Sequence, residues 1–67
     1  MRAEDYRELS ASDLRGRVDE LRRDVFRLRL LMAQEPVAHL KDWRASKKDL
    51  ARVLTVLGEK ERAEATK

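Results

Sequence analysis

The sequence predicts an all-α protein: a long antiparallel two-helix hairpin with a short N-terminal helix. Three observations lead there. The 67 residues include two glycines and one proline, and 43% are charged against 4% aromatic, a balance that favours long helices over sheets. The apolar residues Leu14, Val18, Leu21, Val25, Leu28 and Met32 recur at steps of four, three, four, three and four, the seam of one helix lying along another. A second amphipathic stretch, Lys41 to Leu57, follows a single break at Gln34 to His39 that contains Pro36.

Taken in order, residues 2–9 are expected to form the short helix, with Tyr6 and Leu9 as its apolar pair. So short a helix does not persist alone in water and must dock. Ser10 reads as the N-cap of the second helix, with Asp13 three residues on as an approximate capping-box partner. That helix is expected over 11–34. Arg15, Arg22 and Arg29 repeat at seven on one flank of its seam; Asp13 and Glu20 repeat at seven on the other, with Asp24 beside them. Gly16, inside the helix, costs about 1 kcal/mol relative to alanine and has no local reason; close approach of another backbone is one explanation open to the sequence. Phe26 and Leu30 lie off the seam, four apart. They either cover Tyr6 and Leu9 or form a contact patch for another macromolecule.

Pro36 disfavours helix at Glu35 and lacks an amide hydrogen, so the second helix should stop nearby. The third helix is expected over 40–58, with Gly58 ending or weakening it. The tail from Glu59 to Lys67 has no apolar face and is expected to fray. With Leu50 set at zero and about 100° per residue, Trp43, Leu54 and Leu57 fall within roughly 40° of it, with Ser46 and Val53 beside them. Lys41, Arg44, Lys48 and Arg52 fall on the far side, and Asp42 and Asp49 on a flank. Lys47 intrudes near the seam, where its stem can lie along apolar surface. His39, the only histidine, reads as a cap or a solvated side chain. The chain is expected to make one domain, 1–67, whose long helices span roughly 30 Å each and, joined by a short loop, run antiparallel. Two helices bury little, so a partner is expected to complete their stability.

The net charge is only +3, but its distribution is uneven. Residues 1–13 carry two bases and four acids; residues 15–29 carry six arginines and three acids; residues 41–52 carry five bases and two acids. Each long helix thus bears a basic block, which suits a polyanion or a charge-laced solvated face. Catalytic, cofactor and metal chemistry have no support: there is no cysteine, no glycine-rich phosphate loop and no His-Glu-x-x-His, and the carboxylates interleave with arginines. An enzyme is not expected. The longest apolar run, Leu30 to Ala33, is far too short to span a bilayer. The N-terminus lacks a secretory apolar stretch, its acids argue against a transit peptide, and the absence of disulfides fits a reducing compartment.

The end of the second helix reads Phe26-Arg27-Leu28-Arg29. Eighteen residues later comes Lys47-Lys48-Asp49-Leu50-Ala51-Arg52-Val53-Leu54-Thr55-Val56-Leu57. These two elements, with the Met-basic-Ala start and the Glu-Leu-Ser before the second helix, resemble the bacterial large-subunit ribosomal protein L-twenty-nine family over essentially residues 1–60. The chain departs from the family pattern at Glu35-Pro36-Val37, where Gly-Gln-Leu is common. It departs again at Leu31 and Met32, in place of Gln-Ala, and at Trp43, in place of a smaller aliphatic.

The resemblance implies three helices, two of them in a long hairpin, and a cytoplasmic place on the ribosome. It implies binding to large-subunit ribosomal RNA near the polypeptide exit, beside ribosomal protein L-twenty-three, where trigger factor and the signal recognition particle dock. The RNA contacts it implies are Arg29, Arg44, Lys47, Lys48 and Arg52, with Thr55 as a hydroxyl contact and Arg15 and Arg22 as second choices. Phe26 and Leu30 are candidates for a protein contact. Spread arginines without a set of stacking aromatics suit folded RNA shape over single strands. The rival reading is a coiled-coil interaction module that self-associates through the heptad seam; Pro36 and the matched third helix, which offer an intramolecular partner, stand against it. A DNA-binding protein needs a short turn between crossed helices, which these lengths oppose.

Overall fold

The computed structural model describes residues 3–65, all helix and connecting turns. Helix α1 spans Ala3–Arg7, α2 Ala11–Met32 and α3 Pro36–Ala65. The two long helices form an antiparallel hairpin measuring 48 × 17 × 15 Å, and α1 packs against α3. The expected start of the first helix at residue 2 lies outside the described residues; its end comes earlier than residue 9. After Arg7 the chain tightens into a turn, with the Leu9 amide donating to the Tyr6 carbonyl at 3.1 Å.

Ser10 caps α2. Its hydroxyl accepts from the Asp13 amide at 3.1 Å, which satisfies one of the free donors of the first turn. Helix α2 ends at Met32, and Gln34 and Glu35 donate back to the Leu31 carbonyl.

The third helix is longer than expected at both ends. It begins at Pro36 rather than Leu40. Proline ends one helix here by starting the next: at the first helical position its missing N–H costs nothing and its fixed φ is already helical. The helix also passes through Gly58 to Ala65, so residues 59–65 are ordered helix and not a frayed tail. Gly58 has ordinary helical backbone, with no positive φ. Beyond it, Glu59 is tied to Arg7 of α1 at 3.3 Å and Glu61 to Arg15 of α2 at 3.5 Å.

The inward positions of α3 are His39, Trp43, Ser46, Leu50, Val53, Leu57 and Lys60, all at least partly buried. They step by four and three alternately and so match the seam of α2. Leu54, expected on this face, is 40% exposed. The buried arc is turned toward Val53 and Val56 because α1 covers that flank; Tyr6, fully buried, joins Leu14, Val18, Leu21, Val53, Val56 and Leu57 in one core cluster. Phe26 and Leu30 do not cover Tyr6 or Leu9: they are 65% and 59% exposed.

The core is lopsided. Of the buried apolar side chains among the described residues, only Leu28 lies outside that cluster, in the half of the hairpin nearer the turn. That half also carries the exposed Phe26, Leu30, Leu31 and Val37. One end of the molecule is closed by α1, and the other is open.

Candidate nucleic-acid interface

Charge follows the same division. At the closed end three arginines are neutralised, Arg7 by Glu59, Arg15 by Glu61, and Arg17 by Glu20 at 2.9 Å, while Arg62 donates to the Gly58 carbonyl. Glu20, and after it the Tyr6 hydroxyl, holds the Arg17 guanidinium above its ordinary pKa, against a lowering by burial. Tyr6 Oη and Arg17 Nε are nonetheless both buried without an aligned hydrogen-bond partner, so their proximity acts through charge and dipole rather than a formed bond.

Toward the turn the balance changes. Arg22, Arg29, Lys41, Arg44 and Lys48 have no carboxylate partner among the described residues. The acids of this half are largely engaged or set aside. Asp24 pairs with Arg27 at 3.7 Å, Glu35 lies 3.8 Å from His39, and Asp49 meets Arg52 at 3.4 Å. Asp42 and Asp49, seven apart, share one flank of α3, away from the basic row.

The fold places parts of the two basic blocks on one flank of the hairpin. Arg15 and Glu61 bridge α2 and α3, on the flank opposite the one where Arg17 approaches Tyr6 of α1. One heptad along each antiparallel helix, about 10 Å, brings Arg22 level with Leu54; a second brings Arg29 level with Lys47. Arg29 and Lys47 thus place like charges across the helix pair at the open end. Arg44 and Lys48 point straight outward from α3, with Lys41 beside them, because each stands about half a turn from the Val53 and Ser46 seam positions. Lys47 does not reach outward freely: its ammonium lies 4.4 Å above the Trp43 ring.

The expected contacts therefore divide. Arg29, Arg44, Lys47 and Lys48 lie in the half nearer the turn, Arg29 and Lys47 on one flank and Arg44 and Lys48 on the adjoining outer face of α3. Arg15 is tied to Glu61 at the closed end, and Arg52 shares its charge with Asp49. The Thr55 hydroxyl donates to the Ala51 carbonyl at 2.9 Å, so only its lone pairs are offered outward. Lys41 belongs with Arg44 and Lys48. Its place in the three-four-four row of the sequence is the signal for it, though it is absent from the expected contacts. The residues that frame this region, including Lys41, Arg44, Lys47 and Lys48, line a shallow open concavity with Val37, Leu40, Trp43 and Ala45, and no carboxylate borders it.

A model of the ribosomal L29 protein family matches residues 4–60. The chain belongs to that family. It is a structural protein family rather than an enzymatic one. A large ribosomal subunit protein uL29 of Thermodesulfovibrio yellowstonii is 42% identical over 60 residues, covering 90% of this chain and 83% of that protein. Its counterpart in a Hydrogenobaculum species is 37% identical over 65 residues, covering 97% and 98%. A uL29 protein of Saccharolobus solfataricus is 33% identical over 64 residues, covering 96% and 88%. No solved structure matches the chain significantly. No helix among the described residues is long and apolar enough to cross a membrane.

Proposed function

We propose that this L29-family protein, a structural constituent of the large subunit of the cytoplasmic ribosome, binds ribosomal RNA through the open end of its hairpin. The observation that carries the reading is the set of unpaired cations on both long helices, Arg22 and Arg29 on α2 with Lys41, Arg44 and Lys48 on α3, gathered where the core is thinnest. Unpaired cations side by side repel one another, and a polyanion laid across them relieves that repulsion and releases counterions. Such contacts position the protein on folded RNA without reading its sequence. The place near the polypeptide exit, beside ribosomal protein L-twenty-three and the docking region of trigger factor and the signal recognition particle, belongs to the same reading. Phe26 and Leu30, exposed and four apart on α2, are the surface such a protein neighbour would cover.

The test is the salt dependence of binding to large-subunit ribosomal RNA. Replacing Arg29 and Lys48 together by alanine is expected to lower the slope of log affinity against log salt by roughly 1.5 to 2, about one unit per lost phosphate contact. Replacing Arg15 alone should change the slope less, since Glu61 already occupies it. An unchanged slope in the double variant would remove the open end from the interface.

A further inference from the structure

The concavity on the flank of α3, running from Trp43 at the seam round to Arg44 and Lys48, has features that bare phosphate binding does not need. Its floor is apolar, built from Val37, Leu40 and Trp43. Val37 is 89% exposed, an apolar side chain left to water at the start of a helix. Above the floor stand Lys41, Arg44 and Lys48, spaced three and four residues apart and so about 5–6 Å from one to the next along the helix. Trp43 is partly buried at its seam position, and the Lys47 ammonium lies 4.4 Å from the centre of its ring. An apolar floor and a ring face under an exchangeable cation, beside a cationic rim, describe a site for a flat group that carries its own negative charge.

We propose that one unstacked nucleotide of the bound RNA enters this concavity, its base lying on Trp43 in place of Lys47 and its phosphates held by Lys41, Arg44 and Lys48. The exchange is favourable because a base on an aromatic face is held more strongly than a cation over the same ring. The freed Lys47 ammonium then joins Arg29 in facing phosphate. A bulged or looped base within folded RNA is the form in which bases become available to a protein. An acidic peptide would match the rim as well. The nucleotide is favoured because the unpaired cations run on past the concavity to Arg29 and Arg22 on α2, a track suited to a continuous polyanion. The inference rests on the RNA-binding reading above and adds to it a base contact.

Trp43 is the only tryptophan in the chain, so its fluorescence reports this site alone. The full-length protein is titrated with in-vitro-transcribed large-subunit ribosomal RNA. Tryptophan emission and filter retention are followed in parallel. The emission is expected to quench along the retention isotherm. Trp43→Leu should weaken binding about tenfold with the salt slope unchanged, and Trp43→Phe should recover most of the loss. Circular dichroism verifies that each variant is folded, and the parent's quenching stands independently of either. Tight retention with unaltered emission and undiminished binding by Trp43→Leu would overturn the base contact and leave the RNA-binding reading intact. Absence of retention would overturn both. Quenching by an acidic peptide but not by RNA would assign the concavity to a protein instead.

Discussion

The sequence leaves Gly58 either ending the third helix or weakening it, and replacing it by alanine distinguishes the two by sign. If the third helix ended there, Gly58 would sit just past the last turn in left-handed backbone, where a side chain costs roughly 1–2 kcal/mol. In the structure its φ is negative, the helix runs seven residues further, and a Cβ built on it meets nothing within 4 Å. Alanine should then stabilise by the helix-propensity difference, about 0.8–1.0 kcal/mol. For a domain of this size 1 kcal/mol moves Tm by about 4–8 °C, so Gly58→Ala should melt about 3–8 °C higher. The assay is thermal unfolding of the isolated protein followed by circular dichroism at the helical band, with the pre-transition signal equal to or stronger than the parent's. A lower Tm would refute the continuous third helix.

Three further outcomes follow from the packing. Leu14→Ala removes a fully buried core side chain and should cost about 2–5 kcal/mol, a large part of the stability of so small a domain; urea unfolding with an unchanged m-value checks it. Tyr6→Phe removes a buried hydroxyl with no partner and should leave the urea midpoint level or higher, whereas a loss above about 1 kcal/mol would show that the hydroxyl does bond Arg17. Glu61→Gln breaks an exposed interhelix pair, and the cost should stay below about 1 kcal/mol and vanish at high salt in thermal melts.

The hairpin was legible because its cause is periodic: apolar residues at four-three spacing on α2 admit one inner face, and Leu14, Val18, Leu21 and Leu28 lie on it. The Ser10 cap was legible for a local reason, a hydroxyl within reach of one amide. The ends of α3 were not. Pro36 marks a boundary but does not say on which side the helix lies, and the residues after Gly58 take their order from pairs with Arg7 and Arg15, remote in sequence. Leu54 was misplaced because the apolar arc of α3 is shared between α2 and α1, and a helical wheel drawn for one helix does not contain α1. At the site, sequence supplied the cations but not their state. That Arg15 and Arg52 are occupied by acids while Arg29, Arg44 and Lys48 are not depends on which flank each carboxylate occupies. Lys47 resting over Trp43 needed the fold as well, since the four-residue spacing permits the contact without requiring it.

The central claim, that this protein is held on the large ribosomal subunit by the open end of its hairpin, is tested most directly by sedimentation. Lysate containing the tagged protein is run through sucrose gradients at moderate and then at high salt, beside the Arg29 and Lys48 double-alanine variant. The account predicts that the parent travels with the large subunit at moderate salt and that the variant is released at lower salt than the parent. A parent that stays at the top of the gradient at moderate salt would contradict it.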